Sequence, residues 1–163
     1  MGPQQQPPHQ GPPAEPVHDW TLGPSAIPGA VLAQLGVVVS VIGLLAPWWS
    51  KPARSYNGIG HVEYLMGFNP FLGGLLMVGI VVSGICAFLV LTATILFLAQ
   101  KSPGYKAMAL VPAIIGLLIG MIIPLYFVLD GSGHMAGPAT WAYGFAFVLC
   151  IIGAAMLTRR PAL

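Results

Sequence analysis

The sequence predicts an all-α membrane protein in which four antiparallel transmembrane helices follow a disordered N-terminal tail. Four long stretches of the chain, residues 20–50, 64–100, 107–129 and 135–158, contain no Asp, Glu, Lys or Arg. Each is longer than the roughly 20 helical residues that cross a hydrocarbon core. Charged residues make up 6% of the 163-residue chain, against about 25% in soluble domains, so lipid is the expected solvent of most side chains.

Residues 1–26 form the predicted tail, in which proline and glutamine predominate. Such a segment buries too little apolar surface to offset the entropy of ordering, so disorder with some polyproline II is expected. Pro13 and Pro16 have the spacing of a PxxP core. Two interpretations stay open, a docking tail for an SH3- or WW-like partner and a solvated spacer.

The first transmembrane helix is predicted over residues 27–49, with Pro28 tolerated in its first turn. It ends at Trp48 and Trp49, whose rings are expected to anchor the helix at the membrane surface. The longest connection, residues 50–70, follows as a loop.

Three further helices are predicted over residues 70–100, 107–129 and 138–158, and residues 159–163 form a short basic end. The second exceeds the length that a bilayer requires, so it is expected to tilt or project. Pro103-Gly104 marks the turn between the second and third helices.

Cations in the short connections predict the orientation of the chain. One side carries four of them, Lys101, Lys106, Arg159 and Arg160. The other side carries two, Lys51 and Arg54, in the longer loop. This excess predicts a multi-pass protein of the plasma (cytoplasmic) membrane with both termini in the cytoplasm.

Small residues define a stripe on the third predicted helix. Pro112, Gly116, Gly120 and Pro124 recur every four residues, which places them on one face. Glycines four residues apart let another backbone approach closely, and the prolines should bend the helix. The stripe is interpreted either as a hinge or as a close-packing face, within the bundle or toward a second subunit.

Other predicted helices also carry small residues on one face. Gly36 and Ser40 share a face of the first helix, and Gly79 and Ser83 share a face of the second. Because membrane helices gain dispersion contacts by close approach, these faces predict a compact bundle.

The loop after the first helix collects aromatic residues that could contact a partner, namely Trp48, Trp49, Tyr56, Tyr64 and Phe68. Aromatic side chains of this kind often anchor protein interfaces.

A cluster of titratable residues is predicted on the same side of the membrane as that loop. His61, Glu63, Asp130 and His134 could converge on a metal ion or act as a pH sensor. Their spacing matches no strong zinc or calcium signature, so solvated loop residues are the plainer interpretation.

The sequence predicts no catalytic residue, metal site or cofactor. Acidic and basic side chains inside a membrane are usually functional, and the four stretches contain none. Cys86 and Cys150 lie in apolar surroundings and are interpreted as packing residues, with a disulfide between helices as the alternative. A net charge of +2 without a basic run gives no indication of nucleic-acid binding.

The chain resembles small four-helix membrane proteins of high-GC Gram-positive bacteria and their phages. The resemblance rests on the Pro/Gln-rich tail, on Ala-Pro-Trp-Trp at residues 46–49, and on a last helix that ends in Arg159-Arg160. It implies the four-helix plan and no catalytic residues. Phage proteins of this plan include holins and exclusion proteins.

The expected function is therefore that of a non-catalytic membrane scaffold or accessory subunit, acting through helix–helix and outer-loop contacts. Its expected partners are the lipid bilayer and another membrane protein or a second copy of itself. One alternative is a pore-forming or membrane-perturbing protein of the holin or phage-exclusion type. A further alternative is a carrier of a neutral or apolar solute.

Overall fold

The structure, a computed structural model, describes residues 20–51, 54–129 and 137–161. It contains four long apolar helices: α1 (Ala26–Leu45), α3 (Pro70–Gln100), α4 (Pro103–Leu129) and α5 (Pro138–Ala155). A shorter helix and four short strands complete it: α2 (Gly58–Phe68), β1 (Trp20–Leu22), β2 (Pro47–Lys51), β3 (Arg54–Asn57) and β4 (Arg159–Pro161). All four long helices can cross a membrane by length and composition. The predicted all-α, multi-pass architecture is confirmed.

Successive long helices run in opposite directions. The helix α5 packs between α1 and α4, and α3 packs against α4, whereas α1 and α3 touch less extensively. Strands β1 and β4 pair at one end of the bundle, called the terminal end here. The elements β2, β3 and α2 lie at the opposite end, called the hairpin end.

Helix α1 buries one face made entirely of Ala, Gly and Ser. It ends at Leu45, so the prediction of a helix over 27–49 is wrong by four residues at this end. Pro47 explains the early stop, because a proline disfavours helical geometry in the preceding residue. Ala46 accordingly adopts an extended conformation, with φ −74° and ψ 159°.

The predicted loop over residues 50–70 is largely regular structure instead. Strands β2 and β3 form an antiparallel hairpin, with an irregularity between Pro47 and Trp49. Asn57 caps α2, since its side-chain oxygen accepts a hydrogen bond from the Gly60 backbone N–H at 2.8 Å. Asn69 caps α3 in the same way, accepting from Leu72 N at 3.3 Å.

The remaining helix ends shift by a few residues from those predicted. Helix α4 begins at Pro103 and not at 107, since proline is well suited to a first turn. Lys101 ends α3 with a left-handed φ of 55°. Helix α5 ends at Ala155 and not at 158, and the residues that follow it bond to Gly23 and Ser25 ahead of α1.

The terminal end is closed by contacts between the two ends of the described chain. Strands β1 and β4 pair so that Thr21 lies opposite Arg160, and the Arg159 guanidinium lies 3.9 Å from the centre of the Trp20 ring. The Ser25 hydroxyl donates to Met156 O at 2.8 Å. The predicted tail over 1–26 and basic end over 159–163 are therefore ordered where the structure describes them, while residues 1–19 lie outside the described residues.

Candidate functional site

Trp48 links the hairpin end to the bundle through a hydrogen bond to α1 and a ring contact with α5. Its side chain is 0% exposed, and its indole Nε1–H donates to Gly43 O at 2.7 Å. In a continuous helix that carbonyl would bond the N–H of residue 47, but Pro47 has none. The indole ring also lies 5.5 Å from the Tyr143 ring, between centroids.

Trp48 was predicted to anchor the helix at the membrane surface and to contact a partner. Its burial leaves it no surface for either task. The irregularity in the β2–β3 ladder turns the residue out of the strand pairing. Its backbone carbonyl then accepts from Gly137 N at 3.0 Å, which ties the start of α5 to the hairpin.

Helix α2 packs one face on the hairpin and on α3. His61, Val62 and Leu65 are buried on that face. The Tyr64 ring lies beside those of Tyr56 and His61, at centroid distances of 5.4 and 6.2 Å. These contacts make α2 a fixed part of the hairpin end.

The other side of this region is exposed and apolar. Phe68 at the end of α2 is 82% exposed, Phe71 at the start of α3 is 79% exposed, and Tyr64 is 41% exposed. These three residues are called the hairpin-end surface below. Of the other aromatic residues predicted to contact a partner, Tyr56 is half-buried, and the Trp49 side chain lies outside the described part of the structure.

Only two members of the predicted titratable cluster, His61 and Glu63, lie within the described residues. His61 is buried, whereas Glu63 is exposed, so the two side chains of α2 do not converge. Asp130 and His134 lie outside the described residues. Within the described residues, no group of three His, Cys, Asp or Glu side chains could hold a metal ion.

The proline and glycine stripe of α4 packs against α5. A Cβ atom on Gly116 would collide with the Phe147 ring, and one on Gly120 would lie 3.2 Å from Gly144 Cα. Pro112 and Pro124 are also buried. The stripe is thus occupied by a helix of the same chain.

Glycines also allow the backbones of α1 and α5 to pack close together. A Cβ atom on Gly36 would lie 2.6 Å from Ala146 O and 2.7 Å from Cys150 Sγ. Cys150 donates to Ala33 O at 3.4 Å. In contrast, Gly79 on α3 has space beside it, because a Cβ atom there would meet only Ile119 Cγ2 at 3.5 Å.

Among the described residues, cavities open on the sides of the bundle, and two of them are relevant to function. The first, called the apolar groove, has a volume of about 300 Å³ and lies between α2, α3 and α4. Its described lining includes Leu65, Leu76 and Ile122, with the Tyr126 ring at the hairpin end. Its lining and size suit an apolar molecule.

The second cavity, called the hydroxyl cleft, has a volume of about 240 Å³ and separates α1 from α3. Three hydroxyl groups line it, those of Ser40, Ser83 and Tyr143, and all three residues are buried. The Ser83 hydroxyl is hydrogen-bonded to the Tyr143 hydroxyl. The sequence places Ser40 and Ser83 on packing faces and gives no signal that singles out Tyr143.

Comparison with protein-family models, with curated proteins and with solved structures finds no match to this chain.

Proposed function

We propose that this protein is a non-catalytic membrane scaffold or accessory subunit that binds another membrane protein through its hairpin-end surface. The observation that carries the proposal is an exposed aromatic surface on elements that are packed against the bundle. Phe68 and Phe71 are 82% and 79% exposed, while α2, which carries Phe68, packs on α3 and on the hairpin, and the buried Trp48 bonds that hairpin to α1. A preformed aromatic surface loses little entropy on binding.

The small-residue faces support this choice of surface. Membrane helices of different chains commonly associate through glycine stripes. Here Gly116 and Gly120 face Phe147 and Gly144 of the same chain, so a partner would have to separate α4 from α5 to use them.

The test compares a double Phe68→Ala/Phe71→Ala variant with Phe145→Ala in crosslinking and affinity purification from native membranes. Phe145 is a suitable control because it is also exposed, at 52%, but lies along the side of α5 and lines neither cavity described above. We expect a protein captured by the wild type and by Phe145→Ala to fall several-fold with the double variant. Equal recovery from all three, or equal loss from both variants, would refute the proposal. Recovery of tagged copies of the chain itself would identify the partner as a second copy.

A second candidate function, the carrying of a neutral or apolar solute, is favoured by the apolar groove. Its volume of about 300 Å³ lies at the lower end of the range for small-molecule sites. Purified protein should then show a saturable rise in its unfolding temperature with one class of apolar solute. Substitution of Gly79 by Leu should abolish that rise by filling the groove.

The third candidate, a pore, has less support from the packing. Val90 and Phe147 fill the middle of the bundle, so a water-filled channel would have to form between several copies.

We also propose that the terminal end faces the cytoplasm of a plasma membrane. Lys101, Lys106, Arg159 and Arg160 all belong to this end, and positive charge favours the cytoplasmic side. The pairing of β1 with β4 keeps both ends of the described chain together.

A further inference from the structure

We infer that the hydroxyl cleft between α1 and α3 binds a neutral, largely apolar molecule through a hydroxyl group of that molecule. The cleft opens sideways toward the lipid, because Val41 and Phe88 at its mouth are 49% and 65% exposed. A lipid of the bilayer can therefore enter it without leaving the membrane.

The hydrogen bonds around Ser83 determine which chemical group the cleft can recognise. Ser83 Oγ lies 2.9 Å from Gly79 O and 3.0 Å from Ile80 O. Neither carbonyl can donate a proton, so the Ser83 hydroxyl donates to this pair of carbonyls. The Tyr143 hydroxyl, which is bonded to Ser83 Oγ, must then be the donor in that bond.

The opposite arrangement is less favourable. If Ser83 donated to Tyr143, the phenol proton would face an apolar cavity wall without an acceptor among the described residues. A buried donor left without a partner costs about 1–3 kcal/mol. Ser40 also uses its own proton within the chain, donating to Val37 O at 2.7 Å.

All three hydroxyl groups of the cleft consequently offer acceptor lone pairs and no free proton. A molecule that binds them must bring a donor. It must also be neutral, because none of the described lining residues is charged. Apart from the three residues with hydroxyl groups, the described lining is apolar. A lipid alcohol, such as a diacylglycerol or a long-chain alcohol, has this chemistry.

This inference goes beyond the scaffold function and stands apart from it. No residue of the hairpin-end surface lines the hydroxyl cleft, so variants of one should leave the other intact. The two can therefore fail separately.

The first test measures thermal unfolding of the purified full chain in detergent with hexadecan-1-ol and with hexadecyl methyl ether. The two probes share their chain and differ in the hydroxyl proton. We expect the alcohol to raise the unfolding temperature in a saturable way, with half-saturation at a mole fraction at least about tenfold lower than for the ether. A factor of ten corresponds to about 1.4 kcal/mol of binding free energy. Equal responses to the two probes would overturn the inference.

Variants of the cleft provide a second test. Ser83→Ala removes the acceptor of the Tyr143 proton, which becomes free to donate to a ligand, so the ether should now bind about as well as the alcohol. The double variant Ser83→Ala/Tyr143→Phe should lose most of the response to both probes. Thr94→Val is the matched control, because Thr94 is buried in α3 and also donates to backbone carbonyls but does not line the cleft.

The inference is overturned if Ser83→Ala still discriminates between the probes, if the double variant keeps the wild-type response, or if Thr94→Val alters it as much as Ser83→Ala does. The comparison of the two probes on the wild type remains decisive even where a variant fails to fold.

Discussion

Replacing Trp48 by Phe should destabilise the protein strongly, because the indole supplies a hydrogen bond that the backbone cannot. Gly43 O accepts from Trp48 Nε1 at 2.7 Å, and Pro47 has no N–H to offer in its place. Leaving that buried carbonyl without a donor costs about 1–3 kcal/mol. The smaller ring also removes packing at a fully buried site, which adds about 1 kcal/mol. The free energy of unfolding should therefore fall by about 2–4 kcal/mol.

The assay is reversible unfolding in mixed micelles of a mild detergent and SDS, followed by tryptophan fluorescence and circular dichroism. Trp141→Phe is the matched control, since Trp141 is half-buried and stacks on Phe145 with ring centroids 5.9 Å apart. It should change the free energy of unfolding by less than about 1 kcal/mol. Equal effects of the two substitutions would refute the assigned role of the Trp48 indole.

Other predictions concern packing and orientation. Gly116→Ala should lower the free energy of unfolding by about 1–3 kcal/mol, because the new methyl group meets the Phe147 ring; an unchanged value would contradict that contact. Gly79→Ala should leave stability unchanged or raise it by up to about 1 kcal/mol, because alanine favours helix and space is present; a loss equal to that of Gly116→Ala would count against the packing described. In a chain whose native cysteines are replaced by alanine, Glu63→Cys should react with a membrane-impermeant maleimide on intact cells and Ser102→Cys only after permeabilisation; the reverse pattern would invert the proposed orientation.

The transmembrane helices could be predicted from the sequence because the physics that creates them is local. The length of an uncharged run can be read directly from the sequence and compared with the thickness of a bilayer. The four runs correspond to α1, α3, α4 and α5. Helix ends were predicted less well. Pro47 and Pro103 carried the necessary signal, since one stops α1 and the other starts α4.

The hairpin end could not be predicted in the same way, because its order depends on contacts between distant residues. Tryptophan after a membrane helix usually lies at the membrane surface, whereas Trp48 turns inward toward Gly43 and Tyr143. One local signal for the missed helix α2 was present, since Asn57 stands at its N-cap position, and Asn69 likewise marks the start of α3.

For the candidate sites too, the sequence predicts local features but not the contacts between distant residues. Spacing of four placed Gly116 and Gly120 on one face, but the sequence could not say that Phe147 of the same chain covers that face. The hydroxyl cleft combines side chains from α1, α3 and α5, and Ser83 and Tyr143 are 60 positions apart. Only tertiary structure brings such residues together.

The most direct test of this account compares the stability of Gly36→Ala with that of Gly74→Ala, measured on the monomer in detergent. A Cβ atom at position 36 would lie 2.6 Å from Ala146 O, so the new methyl group should push α1 away from α5 and lower the free energy of unfolding by about 1–3 kcal/mol. A Cβ atom at Gly74 on α3 would meet nothing within 4 Å, so Gly74→Ala should leave the free energy of unfolding unchanged or raise it by up to about 1 kcal/mol. Equal effects of the two substitutions would contradict the claim that the small-residue faces of α1 and α5 close on each other inside a single chain.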